Sequence, residues 1–165
     1  MTEFDLLQDN NDLIQKLMHI PGLKSFREED IQELLRVSKI RTFNAGELIF
    51  KEGSFAKLVY YLISGKAKIV KNDKEIKVLH RTGDVFGEMG SIAGASRSAS
   101  VFAIDETVCV EIDISELDRV PGDKMYMFRY LIFRGFAEIL ANRLKTTTEE
   151  LVRARDEITE LKSST

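Results

Sequence analysis

The segment between about residues 39 and 113 constrains the fold most strongly. Here the chain consists of short runs of β-branched and aromatic residues, such as LVYYLISGKAKIV and TVCVEID, separated by turn residues such as Asn72-Asp73. Seven of the ten glycines lie between Gly46 and Gly94. Many short strands joined by tight turns, without helical segments between them, are typical of an antiparallel barrel or jelly roll. The sequence therefore predicts a mainly β fold, an antiparallel jelly-roll barrel with helices at both ends.

The two ends of the chain carry helical patterns. Apolar residues at helical spacing near the start are interrupted by Pro21-Gly22, and Ser25 followed three residues later by Glu28 predicts a capping box that opens a second short helix. Pro121-Gly122 opens a helical segment that runs nearly to the C-terminus. We therefore expect three parts: short helices packed on the barrel over 1–38, the barrel over 39–122, and the C-terminal helices over 123–165.

Composition and charge exclude several classes of protein. The chain has 165 residues, 44% of them apolar, and its net charge of -3 argues against a surface for direct binding of nucleic acid. The most apolar stretch, MYMFRYLIFRGFAEIL, is too short and too charged to cross a membrane, and the acidic N-terminal residues do not form a secretory signal. The single cysteine, Cys109, lies where the alternation of the strand predicts a buried position, and it cannot form an intrachain disulfide. We expect a cytoplasmic protein without a membrane partner.

The C-terminal segment carries a seven-residue repeat. Leu144, Leu151 and Ile158 are spaced by seven, and so are Thr147, Ala154 and Leu161. This spacing predicts a homodimeric coiled coil through residues 139–161. The alternative is a single amphipathic helix that lies on the barrel. Because only four residues follow Leu161, we expect no DNA-binding domain after it.

The stretch 86–101, FGEMGSIAGASRSASV, combines a glycine-rich loop with one acid and one base. Gly87 and Gly90 bracket Glu88, and glycine lets a backbone approach a ligand closely. Arg97 can donate two parallel charge-assisted hydrogen bonds and suits a phosphate oxygen. Glu88 would repel a phosphate but can accept a hydrogen bond from a sugar hydroxyl. The loop predicts a nucleotide of low charge; the alternative is an internal ion pair between Glu88 and Arg97.

The same stretch resembles the phosphate-binding cassette of cyclic nucleotide-binding domains, and the resemblance extends over residues 35–155. In that family the glutamate binds the ribose 2′-hydroxyl, and the arginine and cassette N–H groups bind the cyclic phosphate. The resemblance therefore implies that Glu88 binds the sugar, whereas Arg97, Ser98 and the backbone of Gly87, Met89 and Ala99 bind the phosphate. The cassette residues that it implies are Phe86, Gly87, Glu88, Met89, Gly90, Arg97, Ser98 and Ala99.

The stretch ANRLKTTTEEL is similar to the C-terminal helix of the catabolite activator proteins. The similarity implies that Thr147 and Thr148 reach the adenine amino group, one from each subunit; the alternative is that they are ordinary seam or surface residues. Ile69 and Leu79 are the expected walls for the base. The implied ligand is cyclic AMP, with cyclic GMP as the alternative. It is a regulatory ligand rather than a cofactor, and its occupancy is passed through the C-terminal helix to an unidentified effector protein.

The chain departs from the family pattern at two places. The family has Ala-Leu where this chain has Gly90-Ser91, and it often has proline at the position of Ser96. In the family this leucine packs on the following helix. Ser91 cannot make that contact, and Ile92 is the nearest residue that could make it instead. His19 and His80 have no metal-ligand spacing, so we expect neither an enzyme nor a metal site. The rival hypothesis is a dimeric scaffold of the same fold that binds no nucleotide.

Overall fold

The structure is a computed structural model that describes residues 3–20, 22–120 and 122–163. Pro21 and Pro121, the predicted helix boundaries, lie outside the described residues. The described elements are α1 Glu3–Met18, α2 Glu28–Arg36, β1 Ser38–Phe43, β2 Leu48–Phe50, β3 Leu58–Ser64, β4 Ala67–Lys71, β5 Lys74–Leu79, β6 Val85–Phe86, α3 Glu88–Ala93, β7 Ser100–Ala103, β8 Thr107–Asp113, a 3-10 helix Ile114–Arg119 and α4 Lys124–Ser163.

The strands form two antiparallel sheets of four strands each. The first has the order β1-β8-β3-β6 and the second the order β2-β7-β4-β5. The mainly β fold with flanking helices is confirmed. The barrel is not closed, because the strand ladders of the two sheets do not join each other in the described chain. The two sheets instead pack face to face as an open jelly roll.

Strand β3 shows why its sequence, LVYYLIS, is apolar at nearly every position. Tyr60 and Leu62 pack between the two sheets, whereas Val59, Tyr61 and Ile63 pack against the helices. Successive side chains of a strand point to opposite faces, so a strand covered on both faces has no polar side. The first sheet therefore lies in the middle of the domain, with the second sheet on one face and the helices on the other.

Cys109 of β8 is fully buried between the two sheets. Burial, with a smaller effect from Glu111, raises the pKa of its thiol to about 12. The thiol therefore stays protonated at neutral pH and behaves as a small apolar side chain, as its place in the strand pattern predicts.

The start of α2 differs from the sequence prediction. The helix begins at Glu28 rather than after Ser25, and the carboxylate of Asp30 accepts a hydrogen bond of 3.1 Å from the backbone N–H of Arg27. The prediction that Ser25 caps this helix is therefore wrong. An aspartate in the first turn satisfies one of the free N–H groups in its place.

Helix α4 begins inside the domain and then leaves it. Phe128, Ile132 and Phe136 are buried against the first sheet and the N-terminal helices. A Cβ atom on Gly135 would lie 2.6 Å from the Cα atom of Gly22, so a glycine is needed where the α1–α2 connection crosses this helix. From residue 144 onward the described side chains are exposed, which shows that this part of α4 does not lie on the sheets. Within the described chain, no helix is apolar enough over a sufficient length to span a membrane.

Candidate functional site

The glycine-rich stretch forms a turn between β6 and α3. Gly87 lies before the first turn of α3 with φ of +85°, a left-handed conformation that favours glycine. A Cβ atom here would lie 2.7 Å from Nη1 of Arg97 and 2.9 Å from the carbonyl oxygen of Leu58. Both the backbone conformation and the space therefore require glycine, and the close approach of Arg97 depends on it.

Arg97 lies at the base of this turn and is only 3% exposed. Its Nη1 atom donates to the carbonyl oxygen of Gly87 at 2.6 Å, and Nη2 donates to that of Leu58 at 2.7 Å. The guanidinium also stacks over the ring of Phe50, 4.2 Å from its centroid. Its Nε atom is buried and has no hydrogen-bond partner among the described residues. Burial lowers the pKa of this guanidinium, but arginine stays charged at neutral pH.

Glu88 lies beside this arginine and is 1% exposed. Its partner is Arg143 of α4, whose Nη1 atom donates to the carboxylate Oε1 at 2.5 Å. Arg143 also donates from Nη2 to the carbonyl oxygen of Val85. Burial raises the pKa of Glu88, while the charges of Arg143 and Arg97 act against that rise. The ion pair between Glu88 and Arg97, which was the alternative interpretation of the sequence, is not formed. Glu88 pairs with Arg143 instead, and this ion pair joins the cassette to α4.

Around these groups lies a cavity of about 90 Å³. Its lining residues come from both sheets, the cassette and α4: Phe50, Ile69, Phe86, Gly87, Glu88, Met89, Gly90, Arg97, Ser98, Ala99, Val101 and Arg143. Small-molecule sites usually enclose about 300–1,000 Å³. The volume of the cavity is therefore smaller than that of a usual ligand site, and Arg143 is the side chain from α4 that lines it.

Comparison with known proteins decides the family. Residues 40–121 match the family described as "Cyclic nucleotide-binding domain". This segment is a cyclic nucleotide-binding domain. Over 100 residues the chain is 37% identical to a cGMP-dependent protein kinase of Eimeria tenella, covering 60% of this chain and 10% of the kinase. Over 113 residues it is 26% identical to the cAMP-dependent protein kinase regulatory subunit of Schizosaccharomyces pombe, covering 68% of this chain and 27% of the subunit.

A solved structure shares the fold. The Thermus thermophilus catabolite activator protein is similar with a TM-score of 0.65 and 23% identity, covering 82% of this chain and 61% of that one. The matched segment spans 10% of the length of the Eimeria tenella kinase and 27% of that of the Schizosaccharomyces pombe regulatory subunit. Since the matched segment is a binding domain, the comparisons identify a cyclic nucleotide-binding regulatory domain and show no catalytic one.

The domain brings most of the predicted site residues together. All eight cassette residues and Ile69 line the cavity. Leu79 does not, because it is buried in the core between the sheets. Thr147 and Thr148 are exposed on α4 and do not line it either; the Thr148 hydroxyl donates to the carbonyl oxygen of Leu144 in its own helix. The roles of all these residues in binding stay predictions.

Two side chains outside the set of predicted site residues hold the cassette. Arg143 reaches it from a helix that lies 55 residues further along the chain. Lys71 donates from Nζ to the carbonyl oxygen of Ser98 at 2.6 Å and pairs with Glu52 at 3.4 Å. Neither side chain is marked by a local motif, because each acts on a partner that is distant in sequence.

The departure at Gly90-Ser91 removes the leucine that packs on the following helix in the family. The Ser91 hydroxyl faces the carbonyl oxygen of Gly87 at 3.4 Å, and Ile92 is 41% exposed. Within the described chain Ile92 therefore does not replace the packing that leucine gives in the family. Among the residues that the structure describes, the contact of Glu88 with Arg143 is the direct polar link between the cassette and α4.

Proposed function

We propose that this domain is a sensor for a cyclic purine nucleotide, cyclic AMP, and passes occupancy on through α4. The observation that carries the proposal is Arg97, a buried guanidinium held at the base of a glycine turn with an unpaired Nε donor. A buried charge is tolerated when it has a charged partner, and a cyclic phosphate carries a single negative charge. Glu88, at the start of α3 directly after Gly87, is the acceptor for the ribose 2′-hydroxyl.

Arg143 supplies the route from the ligand to the helix. Arg143 holds the carboxylate that the sugar needs, and the cavity beside it is only about 90 Å³. Entry of a nucleotide therefore requires Arg143 to release or reposition its contact with Glu88, and the start of the exposed part of α4 moves with it. The ligand shifts this equilibrium only by its difference in affinity for the two positions of the helix.

Titration calorimetry with cyclic AMP and cyclic GMP tests the proposal. We expect binding at about micromolar Kd, which corresponds to about -8 kcal/mol. At 100 times Kd the ligand should raise the free energy of unfolding by about 2.7 kcal/mol. Linear 5′-AMP is the control, because it has the same base and sugar but carries more negative charge and no phosphate ring. Absence of both heat and a melting shift with either cyclic nucleotide would contradict the sensor function.

That negative outcome would favour the second candidate, a dimeric scaffold of the same fold that binds no nucleotide. One observation favours it: the pocket is narrow and its acid already has a partner in Arg143. In a scaffold this pair would be a permanent structural contact. The two functions differ in calorimetry, because a scaffold gives neither heat nor stabilisation.

The choice of cyclic AMP over cyclic GMP rests on Thr147 and Thr148. The relatives do not decide it, because one is a cGMP-dependent kinase and the other a cAMP-dependent regulatory subunit. A threonine hydroxyl can accept a hydrogen bond from the adenine amino group, where guanine presents an oxygen. One such bond is worth about 0.5–1.5 kcal/mol, so we expect a preference of roughly tenfold.

Replacing Thr147 and Thr148 together with valine should remove this preference and leave phosphate binding intact. Calorimetry with both cyclic nucleotides measures the ratio of their Kd values. The control is Thr146→Val with Thr159→Val, because these hydroxyls also bond to their own helix. If the chain truncated after Lys145 keeps the original preference, the base is read by the sheets and the assignment of the two threonines fails.

We further propose that the domain works as a homodimer through residues 139–161 in the cytoplasm and acts on an effector protein. Direct nucleic-acid and membrane partners are not part of the proposal, in keeping with a net charge of -3. The support for the dimer is the seven-residue repeat on α4, whose leucines and isoleucine are exposed in the single chain.

A further inference from the structure

The tip of the β4–β5 hairpin lies against the C-terminal end of the cassette. The hairpin turns at Asn72 and Asp73, whose φ values of +49° and +61° are those of a tight two-residue turn between antiparallel strands. This turn places Lys71 beside the cassette, where its Nζ atom lies 2.6 Å from the carbonyl oxygen of Ser98. Ser98 and Ala99 line the cavity, whereas Lys71 does not. The lysine therefore contacts the cassette from outside the cavity.

The carboxylate of Glu52 holds the lysine in this position. One of its oxygens lies 3.4 Å from Nζ of Lys71, and the other accepts a hydrogen bond of 3.4 Å from the backbone N–H of Asn72. The backbone N–H of Glu52 donates to the hydroxyl oxygen of Ser100 at 2.8 Å. The side chains of Glu52 and Lys71 are partly exposed, so their ion pair adds little stability by itself. Its effect is to orient the ammonium group toward the cassette.

The turn after β2 binds the same end of the cassette through its backbone. The N–H of Gly53 donates to the carbonyl oxygen of Arg97 at 2.8 Å, and the N–H of Arg97 donates to that of Ser54 at 2.8 Å. Within the described chain the N–H groups of Ser98 and Ala99 form no hydrogen bond. Two free N–H donors thus follow directly after an arginine whose own backbone is paired.

The carbonyl oxygen that Lys71 binds and the N–H of Ala99 belong to the same peptide unit. A peptide unit is planar and trans, so its C=O and its N–H point in opposite directions. A hydrogen bond that fixes the direction of the Ser98 carbonyl therefore also fixes that of the Ala99 N–H, which points away from Lys71. A positive charge on the carbonyl oxygen polarises the peptide unit and makes this N–H a stronger donor.

We infer that Lys71 is a positioning residue for phosphate binding. From outside the cavity it holds the Ser98–Ala99 peptide so that the Ala99 N–H faces the cyclic phosphate. The inference rests on the proposed function and adds to it a residue that does not touch the ligand. A donor that is already ordered raises affinity, because its ordering does not oppose binding. Loss of the lysine should therefore weaken binding although every residue that contacts the ligand is still present.

Hydrogen exchange without nucleotide tests whether Lys71 orders the cassette. In Lys71→Met the amide protons of Gly53 and Arg97, which bond across this end of the cassette, should exchange about tenfold faster. Lys74→Met is the matched control, because Lys74 is the cross-strand partner of Lys71 and has no hydrogen bond to the cassette within the described chain. It should leave both exchange rates, measured by NMR, unchanged. Unchanged exchange in Lys71→Met would overturn the inference, whatever nucleotide binding shows.

Calorimetry with cyclic AMP tests the effect on binding. Lys71→Met should raise the Kd by about fivefold, the effect of one hydrogen bond. Lys71→Arg should recover most of the affinity, since arginine also donates to a carbonyl oxygen and keeps the charge. The two phosphorothioate diastereomers of cyclic AMP give the specific readout, because each replaces one exocyclic phosphate oxygen with sulfur, a weaker acceptor. The ratio of their Kd values should change by about threefold in Lys71→Met and stay unchanged in Lys74→Met.

The outcomes separate this inference from the proposed function. An equal loss of affinity for both diastereomers would show that Lys71 acts only through its charge or through stability, and would overturn the positioning role. Faster exchange with an unchanged Kd would overturn it as well. A wild-type domain that binds neither cyclic nucleotide would overturn the proposed function and with it the role in phosphate binding, whereas the exchange rates would still show whether Lys71 orders the cassette.

Discussion

Replacing Arg97 with alanine is expected to weaken cyclic AMP binding by about 2–5 kcal/mol, the largest loss of affinity that any single side chain of the pocket should give. The loss is large because the phosphate would enter a buried site whose positive charge has been removed. Arg97 also joins Gly87, Leu58 and Phe50, so the ligand-free cassette should become less stable as well. Calorimetry measures the first effect and urea unfolding the second.

Two variants separate charge from geometry in this prediction. Arg97→Lys keeps the positive charge but cannot donate to two carbonyl oxygens in a fixed fork, so it should recover only part of the affinity. Arg41→Ala is the matched control, because Arg41 also lies over a ring, that of Phe43, but is exposed on β1 and outside the cavity. Binding by Arg97→Ala within threefold of the wild type would show that the phosphate is held elsewhere.

The parts of the fold that follow from local patterns could be predicted from the sequence. The alternation of short strands and glycine turns predicted the mainly β jelly roll. The cassette was also predictable, because the residues that line its side of the cavity lie within sixteen positions of one another. Local sequence sufficed where the interacting groups are neighbours in the chain.

Contacts between distant segments could not be predicted in this way. The partner of Glu88 is Arg143, 55 residues away, whereas Arg97 was the base suggested by proximity in sequence. Leu79 was expected at a wall of the site, but its strand turns that side chain into the core between the sheets. The position of α4 decides the first contact and sheet packing decides the second, and neither is specified by spacing.

The pairing of Glu88 with Arg143 leads to a prediction about stability and pH. Burial raises the pKa of Glu88 in the folded domain above its unfolded value of about 4.3, and the charge of Arg143 limits that rise. Between the two pKa values the folded state binds more protons than the unfolded state. The contribution of Glu88 to the free energy of unfolding is therefore most favourable below pH 4 and falls as the pH rises toward the folded pKa.

The variant Arg143→Met removes the charge that limits this rise while Glu88 stays buried. In this variant the pKa of Glu88 should rise further, so the free energy of unfolding should keep falling to higher pH. At neutral pH the variant should be less stable than the wild type by about 3 kcal/mol. Near pH 4, where Glu88 is protonated in both proteins, the difference should be much smaller. Urea unfolding at several pH values from 4 to 7 measures the profile.

Two comparisons make this prediction specific to the buried pair. Arg134→Met is the matched control, because Arg134 pairs with Glu138 at 3.2 Å on the same helix but both side chains are exposed; it should cost less than about 1 kcal/mol at every pH. The double variant Glu88→Gln with Arg143→Met should recover most of the lost stability and flatten the pH profile, because no buried carboxylate remains to be ionised. If the free energy of unfolding of Arg143→Met instead runs parallel to that of the wild type from pH 4 to 7, Arg143 does not control the ionisation of Glu88. The helix would then have to sense the pocket through another contact.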